Sequence, residues 1–141
     1  MNMSSQPESF IGDWITPDHL GYTEAIARWA ANASRRAKAV SFVKNAQDVV
    51  TVLKYAKQNN YPVAIRGGGH SSAGASSVED GVVIDLSRHL SSVRVDPAEK
   101  LAYVGGGAIW ETVDKAAIVH GLATVGGTVN HVSSSRCFIS D

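Results

Sequence analysis

Arg66-Gly67-Gly68-Gly69-His70-Ser71 is the stretch of this sequence best equipped for chemistry. Three adjacent glycines open backbone angles that other residues disfavour, and they let a ligand approach the main chain with no side chain in the way. Successive N–H groups in such a turn can converge into a nest for an anion, typically phosphate. Arg66 adds charge at the rim. His70 stands where the loop leaves the ligand, and a neutral imidazole is a nucleophile near neutral pH. The loop therefore suits a diphosphate, with His70 in a chemical role. A flexible connection or a close-packed bend uses the same glycines, so the motif alone leaves both readings open.

The elements around the loop must place it. Val63–Ile65 reads as a strand running into the glycines, and Ala39–Val43 is an earlier β-rich run. Between them Asn45 caps a helix from Ala46 to about Gln58, with Val49, Val50, Leu53, Tyr55 and Ala56 as its inner side. Asn59-Asn60-Tyr61-Pro62 stops it. Strand, helix, strand predicts a right-handed βαβ unit with parallel strands. The glycine loop then lies at the C-terminal end of the second strand, where open α/β sheets bind ligands. After His70 the chain reads Ser71-Ser72-Ala73-Gly74-Ala75-Ser76-Ser77, which is loop chemistry. A dinucleotide fingerprint or a Walker loop needs a helix there, so both are excluded.

Upstream, residues 1–21 read as an extended lead-in carrying Pro7 and Pro17. Tyr22, Ala25, Ile26, Trp29 and Ala30 then fall on one helical face, with Trp29 expected to pack inward. Arg35, Arg36 and Lys38 form a short basic run, read by default as a solvated face, with a phosphate role the weaker alternative that the neutral overall charge does not support. Downstream, strands are expected at Gly81–Leu86, Ser92–Asp96 and Leu101–Val104, the last two joined by a turn at Asp96–Lys100. A helix from Ala108 to about His120 follows, with Ile109, Val113, Ala116 and Ala117 inward and Gly121 as its C-cap. Of the 13 glycines, most lie at or after Gly67, in clusters 67–69, 105–107 and 126–127. Either three segments converge on one long ligand, or glycine turns simply suit short strands.

Composition narrows the class. The 141 residues are 44% hydrophobic and 18% charged, which reads as a globular chain able to form one ordinary domain. Formal net charge is zero, so nothing points to nucleic acid or an anionic membrane surface. Residues 1–9 have neither a basic nor an apolar region, so no signal peptide is seen and a cytoplasmic location is expected over secretion. No apolar run approaches ~20 residues. Cys137 is alone, so it forms no internal disulfide. His120, His131 and Cys137 lack the spacing of a zinc site, and no metal is expected.

Ala64-Ile65-Arg66-Gly67-Gly68-Gly69-His70-Ser71 resembles the pyrophosphate loop of FAD-linked oxidases of the vanillyl-alcohol oxidase/p-cresol methylhydroxylase (PCMH) type, a family with berberine-bridge-like and 6-hydroxynicotine-oxidase-like members. Four further stretches are similar in order: Gly81–Ser87, Val95–Pro97, Val104–Trp110 and His120–His131. The resemblance spans about Tyr22 to His131 and implies an α+β fold: the N-terminal portion of a PCMH-type FAD-binding domain, a βαβ subdomain plus part of a second small sheet. It implies FAD as cofactor. Backbone amides of Gly67, Gly68, Gly69 and Ser71 would hold the diphosphate with Arg66 beside them, and Gly126, Gly127, Thr128 and His131 belong to the segment running along the flavin. His70 matches the position at which many members attach the flavin covalently through its 8α-methyl carbon. The second, cysteinyl link of some members would fall at Val129, so at most one covalent bond is expected.

After His131 the family continues with a glycine-rich run, whereas this chain reads Val132-Ser133-Ser134-Ser135-Arg136-Cys137 and has no glycine after Gly127. The expected organisation is therefore a lead-in and helix over 1–34, a partial FAD-binding domain over 35–131, and an atypical tail over 132–141 with Cys137 a free surface thiol. The resemblance implies the FAD-binding portion, truncated, of an oxidase that oxidises a small organic substrate with O₂ as acceptor. A non-catalytic fragment with weak or no flavin binding, or a phosphate-ligand module, are the alternatives.

Overall fold

The computed structural model describes residues 5–134. The tail beyond Ser134, Cys137 included, lies outside the described residues.

The fold is α+β, with two sheets among the described residues. Strands β1 (Asp13–Ile15), β2 (Ala39–Phe42), β3 (Val63–Arg66) and β4 (Val82–Asp85) form the larger one. Their order is β1-β2-β4-β3. β2 and β3 both pair in parallel with β4, and β1 closes the β2 edge antiparallel. The expected crossover through α2 (Ala46–Gln58) is present, but β2 and β3 are not neighbours, because β4 separates them. Burial explains the order. Val82, Val83, Ile84 and Asp85 are all buried, as a central parallel strand demands, whereas Val63 and Ile65 of β3 are exposed and suit an edge.

Each face of this sheet carries a core. Ile15, Val40, Phe42 and Val83 meet Tyr22 and Ala25 of α1 (Tyr22–Ile26) on one side. Val82, Ile84 and Val43 meet Phe10 and Val52 on the other, with Trp14 and Tyr55 alongside. The lead-in is thus part of the core through Phe10 and β1.

Two helices depart from expectation. In α2 the buried positions are Asp48, Val52 and Ala56, spaced i, i+4, i+8, while Val50 and Leu53 are exposed. The rotation is set by polar groups. Asn45 Oδ1 accepts the Asp48 N–H, and the Asp48 carboxylate accepts the N–H groups of Ile11 and Lys44. Burying Asp48 among these donors satisfies it and turns Val50 and Leu53 outward. Helix α1 ends at Ile26, because Ala27 is extended, and Trp29 is 70% exposed rather than packed inward.

β5 (Val93–Asp96) and β6 (Leu101–Val104) form the small antiparallel sheet. Asp96 Oδ1 accepts from Ala98 and Glu99 N–H at the turn between them. Helix α3 (Trp110–Ile118) packs on this hairpin through Trp110, Val113 and Ala117. It begins later than expected, and Gly121 closes it at φ +67. Leu122 N–H bonds back to Ala117 O across that turn. No helix among the described residues is long and apolar enough to cross a membrane.

Candidate functional site

β3 ends on Arg66, whose carbonyl accepts Leu86 N–H as the last rung of the ladder. From Gly67 the chain leaves the sheet. Among the described residues, the N–H groups of Gly67, Gly68, Gly69, His70 and Ser71 donate to no protein acceptor. Five consecutive orphan donors beside a parallel-sheet edge are what an anion nest requires. Gly69 takes φ +70, and a Cβ there would meet Arg66 Nε at 2.9 Å. A Cβ on Gly68 would meet His131 O, also at 2.9 Å. The glycines are therefore required by conformation at one position and by close approach at another.

These residues line a cavity of about 230 Å³, with Ile65, Ala75, Ser76, Leu86, Val132 and Ser133 completing its wall. Its far side is built by the segment after α3. Trp110 N–H bonds to Val132 O, Glu111 N–H to Asn130 O, and Ser134 N–H to Ala108 O. Ile109 and Ser133 form a bridge. This antiparallel run lays Val132 and Ser133 over Gly67 and Gly68. Ser76 is buried, and its Oγ has no partner among the described residues. An unpaired buried hydroxyl on the wall is a further donor for a bound ligand.

Of the expected site residues, the structure gathers Gly67, Gly68, Gly69, His70 and Ser71 around the cavity. Ser71 is buried, and its Oγ accepts Ala75 N–H, which folds the Ser/Ala/Gly loop back on itself. His131 reaches the site through its carbonyl beside Gly68, not through its exposed ring. Gly126 packs on the Trp110 ring, and it, Gly127 and Thr128 do not line the cavity. Arg66 sits elsewhere. Side chains alternate along a strand, so Arg66 lies on the sheet face opposite Ile65. There its guanidinium pairs with the fully buried Asp85 at 3.1 Å and donates to Ala25 O. It supports the loop from beneath, with Nε next to Gly69.

The second glycine cluster does not converge on the cavity. A Cβ on Gly105 or Gly107 would collide with the Leu90 or Leu86 backbone, and both glycine N–H groups bond to protein carbonyls. Close packing accounts for these two.

Three residues at the site escape sequence reasoning. Arg28 is buried and donates to Ser76 O through Nε and Nη2, at 3.1 and 2.7 Å, and to Ala25 O and Ala27 O through Nη1. Burial, and after it the like charge of Arg66, lower its pKa to about 10, against the pull of Asp85. Trp29 stacks on His70 with ring centroids 4.6 Å apart and planes 18° from parallel. Ser76 is the third. The residues after Ile26 carry no glycine or proline to mark where α1 stops, so helical periodicity hides Arg28 and Trp29.

The family model described as FAD binding domain matches residues 37–134. FAD-linked oxidoreductase hasG of Aspergillus fumigatus is 33% identical over 136 residues, 92% of this chain and 29% of its own length. (R)-6-hydroxynicotine oxidase of Paenarthrobacter nicotinovorans is 33% identical over 121 residues, 86% of this chain and 26% of its own. The crystal structure of 6-hydroxy-D-nicotine oxidase from Arthrobacter nicotinovorans superposes with a TM-score of 0.87 at 32% identity, covering 92% of this chain and 28% of that one. A xylooligosaccharide oxidase from Myceliophthora thermophila shares the fold, with a TM-score of 0.76 at 17% identity. The chain spans under a third of the length of these relatives.

Proposed function

The chain belongs to the FAD-binding domain family of FAD-linked oxidoreductases, and on that premise we propose that the loop Gly67–Ser71 holds the FAD diphosphate. One observation carries the reading: five consecutive N–H groups with no acceptor among the described residues lie beside a cavity at the C-terminal ends of the parallel strands β3 and β4. The diphosphate is an acceptor only, so it fits a wall made of donors. The carboxylate nearest below the loop, Asp85, is turned away into Arg66 and Ser87. Ser76 Oγ adds a hydroxyl donor. The backbone of Gly126, Gly127, Thr128 and His131 continues the binding surface along the flavin, with Arg66 acting as a support beneath Gly69.

His70 lies on the cavity wall with its ring half-buried. It is the residue to which the flavin is covalently attached, through a ring nitrogen and the 8α-methyl carbon. Val129 has no thiol, so the attachment is single. When bound, FAD supplies two-electron oxidation chemistry, and the chain supplies binding and orientation. For the whole protein the reaction is oxidation of a small organic substrate with dioxygen as acceptor. The similarity to (R)-6-hydroxynicotine oxidase supports a small-molecule substrate.

The test is direct. The full chain is expressed, incubated with FAD, precipitated in acid and examined for yellow absorbance on the polypeptide. Acid-stable flavin that disappears in His70→Ala, with reversible FAD binding retained by that variant, is the expected result. A folded chain that neither quenches FAD fluorescence nor retains flavin would overturn the reading.

A further inference from the structure

We propose that Trp29 is a positioning residue for His70: its indole fixes the plane of the imidazole so that a ring nitrogen faces the diphosphate cavity, and so sets how fast His70 bonds to the flavin. The inference rests on the reading of His70 as the attachment residue.

The stack is the first observation. Indole and imidazole lie 4.6 Å apart and 18° from parallel. The exposure of Trp29 is the second. At 70% exposed, the indole is not held by the core, although large aromatic rings normally bury most of their surface. Its ring contact is with His70. The third is the backbone. Trp29 N–H donates to Gly69 O at 3.4 Å, which ties the indole to the residue just before His70. Arg28 anchors the same segment by its two bonds to Ser76 O, on the return side of the loop. Trp29 is thus clamped at both ends of the loop that carries His70.

The physical need is clear. His70 follows three glycines, which restrict a neighbouring side chain least, and the second torsion of histidine is broad. An imidazole so placed samples many orientations of its nitrogens. An indole over one face removes most of them and leaves the opposite face and the nitrogen edges open. In the attachment, a ring nitrogen forms a bond to the 8α-methyl carbon. That carbon loses one proton, and the imidazole loses its N–H proton. The electron pair left on the flavin passes, with two protons, to dioxygen, which departs as hydrogen peroxide. Only correctly aimed nitrogens react, so restricting the ring raises the rate without changing the chemistry.

The experiment compares wild type, Trp29→Ala, Trp29→Phe and His70→Ala as full chains given FAD. Acid-stable flavin is followed over time, and reversible FAD affinity is measured separately by fluorescence quenching. Trp29→Ala should attach flavin roughly two- to tenfold more slowly, from the worth of one aromatic pair, at unchanged reversible affinity. Trp29→Phe should restore most of the rate. In the flavin-free chain, NMR should find the His70 ring protons shifted upfield by the indole and relaxed in Trp29→Ala. A Trp29→Ala chain that attaches flavin at the wild-type rate, or a slow one that Trp29→Phe does not rescue, overturns the role of Trp29 and leaves His70 standing. A wild type with no acid-stable flavin overturns both. Unshifted ring protons in the wild type overturn the stack itself.

Discussion

Replacing Asp85 by alanine tests the electrostatic support under the loop. Asp85 is fully buried on β4, and its carboxylate accepts from Arg66 Nη1 at 3.1 Å, Ser87 N–H at 2.8 Å and Ser87 Oγ at 2.6 Å. Breaking a buried pair by removing one partner costs about 3–5 kcal/mol, because the other charge is left buried and unopposed. Arg66 keeps 20% of its side chain in solvent, which puts its share toward the lower end, about 3 kcal/mol. The two bonds from Ser87 add about 1 kcal/mol each, partly recovered by water at that half-exposed turn. The expected loss is therefore about 4 kcal/mol, a large fraction of the ~5–15 kcal/mol that holds a domain together. At roughly 3 °C per kcal/mol, the melting temperature should fall by about 12 °C.

The same substitution leaves two guanidinium groups, those of Arg66 and Arg28, facing each other without the anion that opposes their repulsion. The second arm follows from that. Arg66→Met in the Asp85→Ala background removes the stranded charge and should recover about half of the loss, since apolar replacement of a buried pair is often neutral. Urea titration with a common m-value across wild type, both single variants and the double variant gives the coupling directly. A loss below about 1 kcal/mol for Asp85→Ala, or strict additivity in the double variant, would refute the ion pair as the support of the loop.

Other outcomes are expected on the same reasoning. Gly69→Ala must hold a side chain at φ +70 against Arg66 Nε, so it should cost about 1–2 kcal/mol by thermal melting and weaken FAD binding measured by quenching. Val52→Ala empties a fully buried site and should cost about 2 kcal/mol, whereas Leu53→Ala, on the exposed side of α2, should cost under about 0.5 kcal/mol; equal losses would mean that α2 is rotated from its described orientation. Hydrogen bonds from Arg88 and then His89 hold the Asp13 carboxyl below its usual pKa of 3.8. A carboxyl with a lowered folded pKa stabilises above the unfolded value and loses that contribution as pH falls through the folded one. Stability measured by urea titration should therefore drop more steeply below about pH 4 in the wild type than in Asp13→Asn.

The parts of this site that are legible in the sequence are the parts made of backbone. A nest of N–H groups needs glycines in a row after a strand, and Gly67–Gly69 after Val63–Ile65 is written in the sequence with no side chain to disguise it. What supports the nest is made of side chains and carbonyls from distant segments, and no local pattern records those meetings. Arg28 meets Ser76 across 48 residues, and Asp85 meets Arg66 across 19. The same distinction separates the glycine clusters. Gly67–Gly69 and Gly105–Gly107 look alike as text, yet Gly105 and Gly107 spend their N–H groups on Ser92 and Leu90, and those of Gly67–Gly69 donate to no acceptor among the described residues. Strand order follows the same logic. The β2-α2-β3 pattern reads as adjacent strands, and it is the unbroken burial of Val82–Asp85, a property of the whole sheet, that inserts β4 between them. Trp29 joins both lessons. Its spacing fits a helical face, but the helix stops at Ile26, where Ala27 turns extended, and the guanidinium of its neighbour Arg28 holds the departing segment through the Ala25, Ala27 and Ser76 carbonyls. The indole is thereby released from the core and set against the imidazole of His70. The residue that sequence periodicity assigns to packing is the one that the tertiary structure delivers to the site.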